Sequence, residues 1–151
     1  MPHLLTVWIL AIFGFFTLLE APVSAAGSSD GSSDAAATYP EAKALVDAGS
    51  YAVALPMLEQ LTRAEPQNAD AWNLLGYSHR KLGEFDAAGR AYEVALKLNP
   101  SHLGALEYQG EFFLQTGAVD QAKANLATLQ RLCGDCEEYQ DLSKALAAAG
   151  A

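Results

Sequence analysis

Basic residues are scarce in this chain of 151 residues, which has 9 Lys and Arg against 18 Asp and Glu and a formal net charge of −9 at pH 7. A nucleic-acid backbone requires clustered Lys and Arg, so the composition argues against DNA or RNA as a partner. The two cysteines are too few for a small fold held together by several disulfides. Charged residues amount to 18%, whereas hydrophobic residues reach 51%. Part of this apolar excess lies at the amino terminus of the chain.

The chain also lacks a recognisable arrangement of catalytic residues. It has no motif of a Ser-His-Asp hydrolase, no glycine-rich phosphate loop and no carboxylate pair with an implied pocket. His79 occupies a packing position of a helix, and His102 follows Ser101 at a helix start, where we expect a surface residue. The sequence therefore predicts no catalytic residue, no cofactor and no metal site, and a protein that is not an enzyme.

The amino-terminal segment has the composition of a signal peptide. Residues 4–19 form an apolar run without a charged residue, shorter than the roughly 20 residues that span a bilayer core. Small residues follow at the positions that signal peptidase accepts, so we predict a signal peptide over residues 1–26, cleaved after Ala25 or Ala26. This predicts a periplasmic or secreted protein. The alternative is an uncleaved membrane anchor, because residues 1–3 offer little positive charge.

Residues 27–38 are a short segment of Gly, Ser, Asp, Ala and Thr with almost nothing to bury. Such a composition is typical of a flexible linker. We therefore expect the folded domain to occupy residues 39–150.

The remainder of the chain repeats with a period of 34 residues. Three sets of residues share this spacing: Gly49, Gly83 and Gly117; Tyr51, Phe85 and Val119; and Ala54, Ala88 and Ala122. A fixed period of this length indicates three copies of one structural unit. The units are predicted at about residues 35–68, 69–102 and 103–134.

Each unit has the apolar spacing of two helices. In the middle copy Trp72, Leu75, Gly76 and His79 fall on one helical face, and a second helix follows Gly83. The dipeptide Asn99-Pro100 ends that second helix, because a proline disfavours helix at the preceding residue. The unit is therefore a helix, a tight glycine turn, a second helix and a turn.

The middle copy closely resembles a tetratricopeptide repeat. The residues that carry the resemblance are Trp72, Asn73, Leu74, Leu75, Gly76, His79, Ala88, Tyr92, Ala95 and Pro100. The flanking copies match less well, as expected of the ends of a solenoid. The resemblance covers about residues 35–134 and implies an all-α, right-handed α-solenoid of three helix-turn-helix units. The whole chain also looks like small exported repeat proteins of Gram-negative bacteria.

A capping helix is predicted over residues 137–149. Asp135 has the position of its N-cap, with Glu138 as its capping-box partner. An apolar stripe that includes Leu142 and Leu146 would cover the open face of the third repeat.

The pair Cys133 and Cys136 lies in the turn before this helix. A disulfide is the default in an oxidising compartment, and it would set the angle at which the cap docks. A redox-active pair is a second possibility, because a thiol at a helix N-terminus has a lowered pKa. Metal binding is a third, although zinc prefers four ligands.

The tetratricopeptide resemblance implies that the first helix of each repeat lines a concave face. The residues placed there as candidate partner contacts are Lys43, Asn73, Tyr77, Arg80, Lys81, Glu107 and Glu111. Aromatic and Arg side chains are common anchors of interfaces. We therefore predict a non-enzymatic scaffold or adaptor that binds a protein or peptide partner. The alternative is a periplasmic thiol-disulfide or metal-handling accessory protein that uses the cysteine pair.

Overall fold

The computed structural model describes residues 37–151. The predicted signal peptide and most of the predicted linker lie outside these residues. Within the described part the chain forms seven α-helices and no strand. The helices are α1 (Tyr39–Asp47), α2 (Tyr51–Ala64), α3 (Ala69–Lys81), α4 (Phe85–Leu98), α5 (Leu103–Gln115), α6 (Val119–Cys133) and α7 (Glu137–Ala148). The all-α prediction is confirmed.

The 34-residue period is visible in the helix boundaries. The second helices of the three repeats, α2, α4 and α6, begin at positions 34 residues apart, and the first helices α1, α3 and α5 end with the same spacing. The turn glycines Gly49, Gly83 and Gly117 have φ values of 72°, 80° and 80°, in the left-handed region that residues with a Cβ rarely adopt. The repeated glycine therefore ends each first helix at the same point.

The paired helices approach each other closely where the sequence has small residues. A Cβ placed on Gly76 would lie 2.8 Å from two ring atoms of Tyr92, which is fully buried. Ala88 on the opposite helix is also fully buried. The small residues of the repeat therefore set the distance between its two helices.

The contacts between repeats show which side of the solenoid is concave. Helix α1 contacts α3, and α3 contacts α5, whereas the second helices α2, α4 and α6 do not contact one another. The first helices are therefore closer together than the second helices, and the right-handed solenoid curves toward them. We call the surface lined by α1, α3 and α5, with the adjoining part of α7, the inner face.

Helix α7 covers the end of the third repeat by packing against both α5 and α6. Its Leu142 is fully buried and Leu146 is 5% exposed. The Leu142 side chain occupies the space beside Gly110, where a Cβ would lie 2.5 Å from a Leu142 methyl carbon. The prediction of a capping helix is confirmed.

The start of α7 differs from the prediction. Cys136, not Asp135, is the N-cap residue, and the helix ends at Ala148 rather than at position 149. The Asp135 side chain instead accepts a hydrogen bond from Nε2 of Gln140 at 3.2 Å. Cys136 has the extended backbone of an N-cap residue, with φ −76° and ψ 168°.

Among residues 37–151, no helix is both long and apolar enough to cross a lipid bilayer. In the same residues, no group of three or more His, Cys, Asp or Glu side chains is arranged to hold a metal ion.

Candidate partner-binding face

The inner face contains three neighbouring cavities. The tyrosine cavity, of about 430 Å³, is lined by Tyr39, Lys43, Val46, Asp47, Tyr51, Asn73, Leu74, Tyr77, Gly104 and Tyr108. The acidic pocket, of about 210 Å³, is lined by Gly104, Glu107, Tyr108, Glu137, Glu138 and Asp141. The carboxy-terminal cavity, of about 450 Å³, is lined by Arg80, Lys81, Glu111, Leu114, Gln115, Ala145 and Ala149. All seven predicted contact residues line one of these cavities.

Three tyrosine rings form the wall of the tyrosine cavity. The ring of Tyr77 lies 5.8 Å from that of Tyr51 and 4.5 Å from that of Tyr108, measured between centroids. Burial, together with the neighbouring Tyr51 hydroxyl, raises the pKa of Tyr77 to about 12. Burial and the charge of Glu107 raise the pKa of Tyr108 to about 12. Both hydroxyls therefore stay protonated near neutral pH and can donate a hydrogen bond to a ligand.

Asn73 is the buried polar residue of this cavity. It is only 6% exposed, and its Oδ1 has no hydrogen-bond partner within the described residues. A buried polar atom without a partner costs free energy in the unliganded protein. A ligand group that donates a hydrogen bond to Asn73 would remove that cost.

Arg80 is placed differently from a free contact residue. Its side chain is 4% exposed, and its Nη2 lies 2.5 Å from a carboxylate oxygen of Glu111 on the next repeat. The guanidinium carbon is also 5.2 Å from the centroid of the Tyr77 ring. Arg80 therefore joins α3 to α5 within the fold, and its guanidinium is already engaged.

Lys81 and Lys43 are exposed, unlike Arg80. The Lys81 ammonium lies 5.8 Å from the ring centroids of both Tyr51 and Tyr77, a cation–π arrangement. Lys43 pairs with Asp47 at 2.7 Å on the surface of α1. Both ammonium groups stand at the rim of the tyrosine cavity, where a partner can reach them.

Glu107 is the half-buried carboxyl of the acidic pocket. Burial, followed by the charges of Glu111, Asp141 and Glu138, raises the pKa of Glu107 to about 8. At pH 7 this carboxyl is therefore mostly protonated. A positive charge brought next to it would favour the ionised form.

Several residues of these cavities were not among the predicted contacts. Tyr108 takes the place of Leu74 one period later, a position that packs in the core of the middle repeat. Tyr51 was noted only as part of the 34-residue period, with Phe85 and Val119. Helix α7 adds Glu137, Glu138 and Asp141, which the sequence places on a capping helix and not on a binding face. The one signal in the sequence for Tyr108 was a tyrosine at the position where the middle repeat has Leu74.

The two histidines have structural partners. His79 Nδ1 lies 2.6 Å from a carboxylate oxygen of Glu84, and its side chain is 13% exposed, in agreement with a semi-buried packing position. His102 was expected at the surface, but its side chain is only 12% exposed. It is the N-cap of α5, where Nδ1 accepts a hydrogen bond from the amide of Ala105 at 3.1 Å. Its Nε2 lies 2.9 Å from a carboxylate oxygen of Asp70, a contact that links the start of α3 to the start of α5.

The cysteine pair is at bonding distance. The sulfurs of Cys133 and Cys136 are 2.07 Å apart, and their Cα atoms are 5.6 Å apart, so the pair forms a disulfide. Both residues are half-buried in the turn between α6 and α7. The bridge therefore joins the third repeat to the cap.

Comparisons with known proteins agree with this architecture. A tetratricopeptide repeat matches residues 39–102 and 75–132, which together span more than half of the chain. The curated proteins contain no match. A similar solved structure is the type III secretion translocator chaperone SycD of Yersinia enterocolitica, with a TM-score of 0.63 and 22% identity over 74% of this chain and 84% of that one. At this identity the likeness concerns the fold alone. The chain belongs to the tetratricopeptide repeat family.

Proposed function

We propose that the protein is a non-enzymatic adaptor whose inner face binds an extended or helical peptide segment of a partner protein. The tetratricopeptide fold supports a role in protein–protein interaction. The observation that carries the proposal is that all seven predicted contact residues, from three different helices, line neighbouring cavities on one side of the solenoid. Tyrosine walls next to exposed charges are suited to a peptide of mixed charge.

The partner groups would use different parts of the inner face. The tyrosine rings offer apolar and aromatic contact area, and Lys43 and Lys81 can pair with acidic groups at the rim. Arg80 is buried and paired with Glu111 of α5. An Arg80→Ala variant would therefore disturb the packing of α3 on α5 and would not isolate a contact with the partner. A substitution that blocks the cavities without breaking the fold is a better test.

Gly104→Leu is such a substitution. Gly104 lines both the tyrosine cavity and the acidic pocket, and a Cβ there would make only ordinary contacts of 3.4 Å or more. A leucine side chain is therefore expected to fill the junction of the two cavities while α5 stays folded. Ala127→Leu serves as the control. It introduces a leucine at an exposed position of α6, the second helix of the third repeat, which does not line the inner face.

The test is co-purification of the exported protein, followed by mass spectrometry of whatever is retained. We expect a partner to be retained by the wild type and by Ala127→Leu and to be lost with Gly104→Leu and with Tyr77→Ala. Equal recovery with all four proteins would show that the partner does not bind the inner face.

Export is part of the same proposal. The support is the apolar amino-terminal run with small residues before Ala25 and Ala26. N-terminal sequencing of the protein from periplasm and from membranes tests it. An intact Met1 in the membrane fraction would mean that the segment is an anchor.

A second candidate function uses the cysteine pair. The observation in its favour is the position of the Cys133–Cys136 pair in the turn between α6 and α7, with Cys136 as the N-cap residue of α7. A thiol-disulfide or metal-handling protein would need this pair to open readily. The reduction potential discriminates the two: a value below about −300 mV indicates a structural bridge, and a higher value indicates a reactive one.

A further inference from the structure

The tyrosine cavity and the acidic pocket form one continuous site. Gly104 and Tyr108 line both, and Gly104 has no side chain to separate them. A ligand in this junction would therefore reach both groups of residues at once.

The charges around the junction are unbalanced. Lys43 is paired with Asp47, Arg80 with Glu111, and Lys144 with Asp141 at 2.8 Å. Among residues 37–151, the carboxylates without an ion-pair partner in the acidic pocket are Glu107, Glu137 and Glu138. No Lys or Arg lines the acidic pocket, so three of its four acidic side chains have no ion-pair partner.

A second and independent feature is the Asn73 side chain. The residue is only 6% exposed, and it lines the tyrosine cavity. Its Oδ1 has no hydrogen-bond partner within the described residues. Its amide lies directly against the junction, because a Cβ on Gly104 would be 3.4 Å from Nδ2 of Asn73. Nδ2 is the atom next to Gly104, and the unpartnered Oδ1 of the same amide can accept a hydrogen bond from a ligand that enters the tyrosine cavity.

The tyrosine rings contribute a third type of acceptor. The faces of aromatic rings attract cations, and Lys81 and Arg80 already lie within 6.0 Å of them. Carboxylates, an amide oxygen and ring faces all favour the same ligand group, a cation with several N–H donors.

We propose that the junction of the tyrosine cavity and the acidic pocket receives a Lys or Arg side chain of the partner, so that the inner face selects basic peptide segments. This inference rests on the proposed peptide-binding function and names the chemistry of the peptide. Charge complementarity fits the same occupant, because the whole chain is strongly acidic.

Binding of a basic side chain has a consequence for protons. The carboxyl of Glu107, with its pKa of about 8, faces Tyr108 and Glu111 of its own helix, Arg80 of α3, and Glu138 and Asp141 of α7. An incoming cation stabilises the ionised form and lowers this pKa. The peptide should therefore release protons when it binds at pH 7, and Glu107→Gln should abolish that release.

The experiment uses random peptides displayed on phage and selected on the purified wild-type protein. Selected peptides are synthesised, and each Lys or Arg is replaced by norleucine in a matched copy. Affinity and proton release are measured by titration calorimetry in buffers with different ionisation enthalpies. The variants are Glu107→Gln/Glu138→Gln for the pocket, Gly104→Leu for the junction, and Glu93→Gln/Asp120→Asn as an outer-face control with the same loss of charge.

We expect the selected peptides to be enriched in Lys and Arg. Norleucine replacement and the pocket variant should each weaken binding about tenfold or more, the effect of losing a charge-assisted hydrogen bond. The outer-face control should leave affinity unchanged, and circular dichroism should show native helix content for all variants.

Two other results would overturn the inference in distinguishable ways. Peptides that lose affinity with Gly104→Leu but show no basic enrichment, or no response to the pocket variant, would refute the basic-ligand inference and leave the inner-face function standing. Peptides that bind the wild type and Gly104→Leu equally, or a selection that yields no binder, would refute both.

Discussion

The contact between Gly110 and Leu142 allows a sharp test of how the capping helix is held. A Cβ on Gly110 would lie 2.5 Å and 2.6 Å from the two methyl carbons of Leu142, and Leu142 is fully buried, so it has little room to move. We therefore predict that Gly110→Ala and Leu142→Ala are strongly coupled in a double-mutant cycle.

The magnitudes follow from opposing effects. In the wild-type background, overpacking costs about 1–3 kcal/mol, and the better helix propensity of Ala returns about 1 kcal/mol. Gly110→Ala should therefore lower the free energy of unfolding by about 1 kcal/mol. Leu142→Ala alone should lower it by about 2–5 kcal/mol, because a fully buried leucine is removed. In that background the overlap is gone, so Gly110→Ala should raise it by about 1 kcal/mol.

The assay is urea unfolding of the four proteins, followed by circular dichroism and by Trp fluorescence. Repeat arrays can unfold from one end, so the two signals must give the same midpoint before a single free energy of unfolding is assigned. Gly89→Ala is the control, because its Cβ would approach only the half-buried Phe112 ring, at 3.1 Å. If Gly110→Ala has the same effect in both backgrounds within about 0.5 kcal/mol, the proposed packing of α7 on α5 is wrong.

Three further predictions concern a carboxyl, a disulfide and a cap. The pKa of Glu107 is raised from 4.5 to about 8, so its contribution to stability is present below pH 4.5 and is lost as the pH rises through 8. Glu107→Gln should remove this loss, about 2 kcal/mol after discounting for partial exposure, in urea unfolding at several pH values. Replacing both Cys133 and Cys136 by Ser should lower the free energy of unfolding by roughly 2 kcal/mol and the melting temperature with it. Asn68→Ala should cost about 1 kcal/mol, because Asn68 Oδ1 caps α3 by accepting from the Ala71 amide at 3.0 Å.

Each of these has a control and a contrary outcome. Glu137→Gln changes an exposed carboxyl, and a wild-type pH slope that survives in Glu107→Gln but not in Glu137→Gln would refute the assignment. Equal melting temperatures for the oxidised wild type and the double serine variant would show that the bridge adds no stability. Gln67→Ala, one residue before the cap and exposed, should be neutral, and an Asn68→Ala variant equally neutral would contradict the capping role.

The features of the fold that depend on local spacing could be predicted from the sequence. Gly49, Gly83 and Gly117 indicate the turns because only their backbone tolerates the positive φ found there. Gly76 indicates a close helix pair and is found against Tyr92. The capping helix follows from its apolar stripe, although its N-cap moved from Asp135 to Cys136.

The exposure of side chains on the inner face could not be predicted by superposing the repeats. Superposition treats Arg80 as a free surface residue, but the next repeat brings Glu111 to it and buries it. The position of His102 after Ser101 predicts a surface residue, but Asp70 on α3 pairs with it, and its side chain is only 12% exposed. Tyr108 was not among the predicted contacts, although it lines both the tyrosine cavity and the acidic pocket. For Arg80 and His102, a carboxylate on another helix, distant in the sequence, lies against the side chain and accompanies its burial.

The sequence by itself determined the helical class, the glycine turns within the repeats and the capping role of α7, because these depend on helical spacing, turn glycines and apolar stripes within short segments. Only the tertiary structure decided which side chains share a cavity. The acidic pocket joins Glu107 to Glu138 and Asp141, and it exists because α7 packs beside α5. Burial and charge repulsion depend on distances between such separate segments. For that reason the altered pKa of Glu107 and the unpaired amide of Asn73 emerged only from the folded chain.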